Sequence, residues 1–160
     1  MPAPQLANLL KSILHNVGVA LVGFGVALLG RRIDSLLGLG GFGSGYTAAA
    51  GTLLVTAGFL LRAWATFYFY EQRMKVISLE PQQDLITSGP YRFSRNPLYL
   101  GGNVFIFFGA ALVLGSPAAL VITAAHLPLV DLFIRREERQ LETQFGQVWV
   151  DYKTRVGRWI

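Results

Sequence analysis

Residues 96–130 read NPLYLGGNVFIFFGAALVLGSPAALVITAAHLPLV, a stretch without a single charged side chain. About 20 apolar residues cross a bilayer as a helix, so the stretch is too long for one span and long enough for two short ones. Gly115-Ser116-Pro117 interrupts it near the middle, a turn signal. This predicts spans over 98–114 and 118–134, joined as a tight helical hairpin. So short a turn brings the two outer flanks together: Arg95-Asn96-Pro97 on one side and Glu137-Glu138 on the other.

The rest of the chain repeats the pattern. Residues 12–30 and 35–61 also lack charge. The first supplies a span over 12–30; the second opens with glycines, which places its span over 46–70 with Arg62 inside. Of 160 residues, 52% are hydrophobic and 14% charged, against about 25% charged in soluble domains. Disorder, which needs low hydrophobicity, is excluded. The absence of cysteine excludes disulfides, thiolate metal sites and cysteine nucleophiles, and no metal site is expected. The expectation is one membrane domain over 1–160: all-α, integral to the membrane, with about four transmembrane helices plus a cytoplasmic C-terminal amphipathic helix.

Lys and Arg set the orientation. Lys11, Arg73, Lys75, Arg92, Arg95, Arg135, Arg136, Arg139, Lys153, Arg155 and Arg158 fall on one side, and Arg31 and Arg32 on the other. Both termini are therefore expected in the cytoplasm, in a multi-pass protein of a bacterial or archaeal inner membrane. The net charge of +5 reads as topology. No recognition motif accompanies it, so nucleic acid is not expected as a partner. The first span has no convincing cleavage site and is read as retained. Oligomeric state is left open.

Gly38-Leu39-Gly40-Gly41-Phe42-Gly43 matches the dinucleotide pattern G-x-G-x-x-G. That pattern has meaning only between a strand and a helix. Here it joins two spans, and a flexible or re-entrant turn is expected.

Two segments, 85–101 and 135–152, concentrate polar and aromatic residues at the cytoplasmic ends of the last two spans. In the first, Gly89-Pro90 marks a turn, and Asn96-Pro97 reads as an N-cap with proline at the first helical position. The helix then opens with its positive dipole end exposed, a ready anion site, beside Arg92, Arg95, Tyr91, Phe93 and Tyr99. In the second, Ile134, Glu138, Leu141, Phe145, Val148 and Tyr152 recur on one helical face. A carboxylate on that apolar stripe needs a partner. Arg135 or Arg139 could supply one on a helix lying along the membrane surface, or Glu138 could bind a ligand. An anion-receiving helix end beside paired carboxylates suits a zwitterionic ligand, such as an amino-acid-bearing nucleotide.

In these segments the chain resembles the membrane methyltransferases that include isoprenylcysteine carboxyl methyltransferase and phosphatidylethanolamine N-methyltransferase. The resemblance rests on Gly89-Pro90-Tyr91, Arg95-Asn96-Pro97-Leu98-Tyr99, Glu137-Glu138, Phe145-Gly146 and Tyr152. It covers roughly residues 80–160, and the first 70 match only as generic spans. It implies S-adenosylmethionine as methyl donor, with Gly89, Pro90, Tyr91, Arg95, Asn96, Pro97, Tyr99, Glu137 and Glu138 as the cofactor-binding residues. The acceptor it implies is a lipophilic small molecule or lipid: a prenylated-cysteine-like carboxylate or a phospholipid-like amine. Asn96 stands where that family commonly has histidine. Asparagine can donate to a carboxylate but cannot carry a proton.

Ionisable residues inside spans are functional candidates by default. Arg62 could pair with Asp131 or hold an acidic head group. His126, two residues before Pro128, could make an interhelical hydrogen bond or act as the base for an amine acceptor. Arg62 and His126 are therefore the catalytic candidates. Trp64, Phe67, Tyr68, Phe69 and Tyr70 are expected to form an interfacial aromatic belt. Two other classes remain open. One is an NADPH-dependent membrane reductase of the sterol-reductase type, which shares a Trp149-x-x-Tyr152 and Arg155-Val156 tail. The other is a non-enzymatic membrane scaffold or transporter subunit.

Overall fold

The computed structural model describes residues 3–72 and 84–160. Arg73 and Lys75, two of the basic residues counted for topology, lie outside the described residues. The described residues are helical, with no strand among them. Helix α1 runs over Ala3–Leu37, α2 over Gly45–Glu71 and α3 over Pro97–Leu114. Helix α4 follows over Pro117–Phe145, and a short α5 over Gln147–Arg155. The first four are long and apolar enough to cross a membrane.

Two helices run past their predicted ends. The sequence places a span over 12–30, whereas α1 has 35 residues, about 52 Å at 1.5 Å each. Charge ends a span without ending a helix, so Lys11, Arg31 and Arg32 are absorbed into α1. Likewise α4 does not stop at 134. It continues unbroken past Glu137 and Glu138 to Phe145, along the span's own axis. Only α5 is a separate amphipathic piece.

Gly146 makes that break. Its backbone sits at φ 53° and ψ −125°, a region that strongly favours glycine, and the turn resets the helical phase. The single face predicted from Ile134 to Tyr152 is therefore divided. Val148, expected on the buried stripe, is exposed, whereas Trp149 and Tyr152 are buried.

Helices α2 and α3 approach closely through small residues, as membrane helices do. A Cβ at Gly51 would lie 2.6 Å from the Gly109 carbonyl oxygen, and Gly58 meets the Gly101 carbonyl in the same way. Ala27, Ala110, Ala111 and Ala119 close the core between α1, α3 and α4. Leu14, Leu21, Leu53, Leu60 and Val121 remain largely exposed, an apolar outer surface suited to lipid. The glycine-rich Gly38–Gly43 stretch is an irregular turn whose Phe42 N–H donates to the Gly115 carbonyl at 3.1 Å. It knits together the bundle end remote from α5.

Candidate functional site

Where α3 begins and α4 overhangs, a cavity of 370 Å³ opens between the helices, within the 300–1,000 Å³ usual for small-molecule sites. Tyr91, Arg95, Asn96, Pro97, Leu98 and Tyr99 form one wall. Phe133, Arg136, Glu137, Glu138, Gln140, Leu141 and Gln144 form another; Trp149 and Tyr152 close the third. Seven of the nine sequence-predicted cofactor residues thus share one cavity. The short hairpin turn does bring the Arg95 and Glu138 flanks together.

Gly89 and Pro90 are not on its walls. They build the 3-10 turn Gly89–Arg92 that presents Tyr91. Gly89 has φ +60°, and a Cβ there would fall 2.6 Å from the Tyr68 ring, so the turn packs as it does only with glycine. Pro90 is fully buried behind it. The Tyr91 ring then meets Phe69 at 5.9 Å, and the Tyr152 hydroxyl donates to the Tyr91 carbonyl at 2.7 Å. Phe69, expected in an interfacial belt, is buried and lines the cavity instead. It faces inward because the Gly89 turn folds over it.

Asn96 occupies the N-cap position, but its side chain makes no capping bond. The amide instead donates to the Arg158 carbonyl at 3.2 Å. The reason lies in the C-terminal tail, which returns across this loop. Arg95 N–H donates to the Gly157 carbonyl at 3.0 Å, and Arg158 reaches Glu138 at 2.6 Å and Asp131 at 3.2 Å.

Glu138 accordingly pairs with neither Arg135 nor Arg139. Its partners are Arg95, at 3.0 Å, and Arg158. Arg135 is claimed by Asp131, four residues back on the same helix, at 2.6 Å. That pairing, with Arg158's, also leaves no Arg62–Asp131 bridge. The Glu138 hydrogen bond, first among its causes, raises the Arg158 guanidinium further above its ordinary range. Arg95 also lies 5.7 Å over the Trp149 ring and donates to the Lys153 carbonyl at 3.1 Å. Glu137 receives the Tyr99 hydroxyl at 2.9 Å.

Three buried polar atoms on the cavity walls have no hydrogen-bond partner among the described residues: the Tyr91 hydroxyl, Arg95 Nε and Trp149 Nε1. Buried polar groups are nearly always paired, and these three exceptions belong to residues of one cavity wall. Burial keeps the nearby phenols protonated. It pushes Tyr91 well above the ordinary tyrosine range and Tyr152 to about 12, the latter opposed by Arg95.

The two catalytic candidates lie elsewhere. Arg62 is buried behind the α3 wall; its Nε donates to Asn16 Oδ1 at 2.8 Å, its Nη1 to the Leu98 carbonyl, and its Nη2 lies 3.3 Å from His15 Nε2. Asn16, Ser12 and Thr66 continue this buried polar chain between α1 and α2. His126 stacks on Phe107 with ring centroids 5.9 Å apart. It is eleven residues before Glu137 on α4, about 16 Å along the axis, and is absent from the cavity lining.

Several wall residues were not singled out from the sequence. Phe133, Gln140 and Gln144 share the helical face of Glu137, so the 3.6-residue period would have found them. Nothing local marks Arg158, because its role depends on the tail folding back.

The fold and the cavity define a helical integral membrane protein with a polar, aromatic-lined cavity at one end of its bundle. The family model described as phospholipid methyltransferase matches residues 46–148, well over half of the chain. The protein belongs to the phospholipid methyltransferase family and is an integral membrane methyltransferase. The match starts in α2, further upstream than the segments that carry the sequence resemblance, and stops one residue short of Trp149. No curated protein matches the chain.

Proposed function

We propose that this methyltransferase takes its methyl group from S-adenosylmethionine and passes it to a lipophilic acceptor at the cytoplasmic face of the membrane. The observation that carries the reading is a cavity walled by Tyr91, Arg95, Asn96, Tyr99, Glu137, Glu138 and Trp149, a set that includes three buried donors without a partner among the described residues. That donor set fits the ligand. A zwitterionic amino-acid end and a hydroxylated nucleoside need donors for carboxylate, acceptors for ammonium and ribose, and aromatic faces for the base.

The residues to hold it are Tyr91, Arg95, Asn96, Pro97, Tyr99, Glu137 and Glu138, supported by Trp149. When bound, S-adenosylmethionine would supply a sulfonium methyl open to in-line attack by an acceptor oxygen or nitrogen, with the S–C bond breaking and S-adenosylhomocysteine leaving. The chain's part is alignment and exclusion of water, which can contribute about 7–11 kcal/mol to such a reaction. Arg95 is held in place by Glu138, by the Trp149 ring and by the Lys153 carbonyl. Glu137 is oriented by Tyr99. Phe133, largely exposed on α4 yet part of the wall, offers a lipophilic acceptor an apolar approach from the bilayer. A phospholipid-like amine and a prenylated-cysteine-like carboxylate both suit such an entry.

Binding of S-adenosylhomocysteine to the detergent-purified protein tests the reading. Saturable binding, lost in Glu138→Ala and Arg95→Ala, supports it. If the wild type binds no S-adenosylhomocysteine, the donor assignment fails.

A further inference from the structure

Resting on the methyltransferase reading for its ligand, we infer that Arg62 is a positioning residue: through the Leu98 carbonyl it holds the first turn of α3 in the shape the donor cavity needs. Arg62 belongs to α2 and touches none of the cavity, yet its Nη1 donates to the carbonyl of Leu98. Leu98 lies between Pro97 and Tyr99, and all three line the cavity.

The local backbone there is irregular. Immediately after Tyr99 the helix widens into a π turn over Leu100–Ile106, and such turns are rare and often functional. A carbonyl oxygen has two lone pairs and can take a second donor, and Arg62 brings a charged one to the Leu98 carbonyl where this stretch begins.

The route of its side chain is built for that contact. A Cβ at Gly101 would lie 2.7 Å from Arg62 Cγ, and one at Gly102 would lie 2.8 Å from Arg62 Nη1. The arginine arm crosses two consecutive glycines to reach the carbonyl beyond them. At its other end Asn16 and His15 hold the remaining nitrogens, so three helices fix one guanidinium. Arg62 is only 7% exposed, and each of its three nitrogens has a neighbour within the bundle. A charge at such depth is expensive, and a purely apolar contact would pack the bundle as well.

Two variants separate this role from general stability. Arg62→Gln removes the long donor. Gly102→Ala keeps the charge but inserts a methyl against Nη1, and alanine is itself the better helix former. In both, amide exchange over 98–103 is expected to rise by about ten- to a hundredfold, the weight of one hydrogen bond to a charged group, while exchange over 107–114 stays unchanged. S-adenosylhomocysteine affinity is expected to fall by about the same factor. If Arg62→Gln fails to fold, Gly102→Ala decides the question alone. Unchanged exchange over 98–103 would overturn the clamp, as would faster exchange with undiminished donor affinity. Should the wild type bind no S-adenosylhomocysteine, the methyltransferase donor reading fails, while the exchange measurement still decides whether Arg62 holds the turn.

Discussion

The Arg95 guanidinium meets the Glu138 carboxylate at 3.0 Å, and both side chains are largely buried at 11% and 14% exposure. This one ion pair joins the approach to α3 to the overhang of α4. Because Arg158 shares the same carboxylate at 2.6 Å, it also fastens the C-terminal tail over the loop. Removing Glu138 leaves two cations facing each other without their acid. Breaking a buried pair on one side costs about 3–5 kcal/mol; here partial exposure of Arg158 puts the expectation at the lower end. Glu138→Ala is expected to lower the melting temperature and abolish S-adenosylhomocysteine binding, measured by calorimetry on the same sample. Retention of both would show that the pair fixes nothing.

Tyr91 and Trp149 carry polar atoms with no partner among the described residues. Such atoms make the empty protein less stable than an apolar replacement would, by about 1–3 kcal/mol each. Tyr91→Phe and Trp149→Phe should therefore leave the unliganded melting temperature equal or higher while weakening S-adenosylhomocysteine. Trp149→Phe also loses ring area, so its thermal gain is the smaller. Equal affinity in wild type and both variants would remove these donors from the ligand's partners.

The parts of this architecture that a sequence shows are those governed by local rules. The hairpin between α3 and α4 was legible because Gly115-Ser116-Pro117 breaks an uncharged run, and from it the meeting of Arg95 with Glu138 followed. Asn96 illustrates the opposite. Capping is its commonest use, and only the returning tail, with the Arg158 carbonyl 3.2 Å away, diverts its amide. Arg62 was visible as an anomaly inside a span, but its partner is a backbone carbonyl of another helix, which no side-chain pattern marks. His15, one uncharged residue in a long apolar helix, gave no sign of facing that guanidinium.

Gly89 should tolerate no side chain. At φ +60° with the Tyr68 ring 2.6 Å from a would-be Cβ, alanine brings backbone strain and a clash, together about 1–3 kcal/mol. Gly89→Ala is expected to lower the melting temperature and, by shifting Tyr91, to weaken S-adenosylhomocysteine. An unchanged melting curve would mean that the turn relaxes freely.

Burial of Tyr152 has a consequence at high pH. Its hydroxyl ionises near 10 in an unfolded chain and near 12 in the folded protein, so folding favours the protonated form. That contribution is whole below pH 10 and is lost as pH rises from about 10 to about 12. Stability should fall across this window as tyrosinate absorbance appears with unfolding. Tyr152→Phe gives up the bond to the Tyr91 carbonyl at every pH and should flatten the alkaline decline. An identical decline in that variant would assign the effect to other groups.

Asp34 offers a stability test far from the cavity. Its carboxylate accepts the Ser116 hydroxyl at 2.5 Å and the Ala118 N–H at 2.9 Å, so α1 caps the start of α4 from another helix. Some twenty residues of α4 separate that cap from Glu137, about 30 Å. Losing an N-terminal cap costs about 0.5–2 kcal/mol, and in a chain of this size each kcal/mol moves the melting temperature by about 2–4 °C. Asp34→Ala is expected to melt several degrees lower with S-adenosylhomocysteine affinity unchanged, whereas Asp34→Asn, which keeps an acceptor oxygen, recovers part of the loss. Isothermal titration beside thermal denaturation checks both halves. A drop in affinity would mean that the two ends of α4 are coupled, and that lost binding in the cavity variants cannot be assigned to the cavity alone.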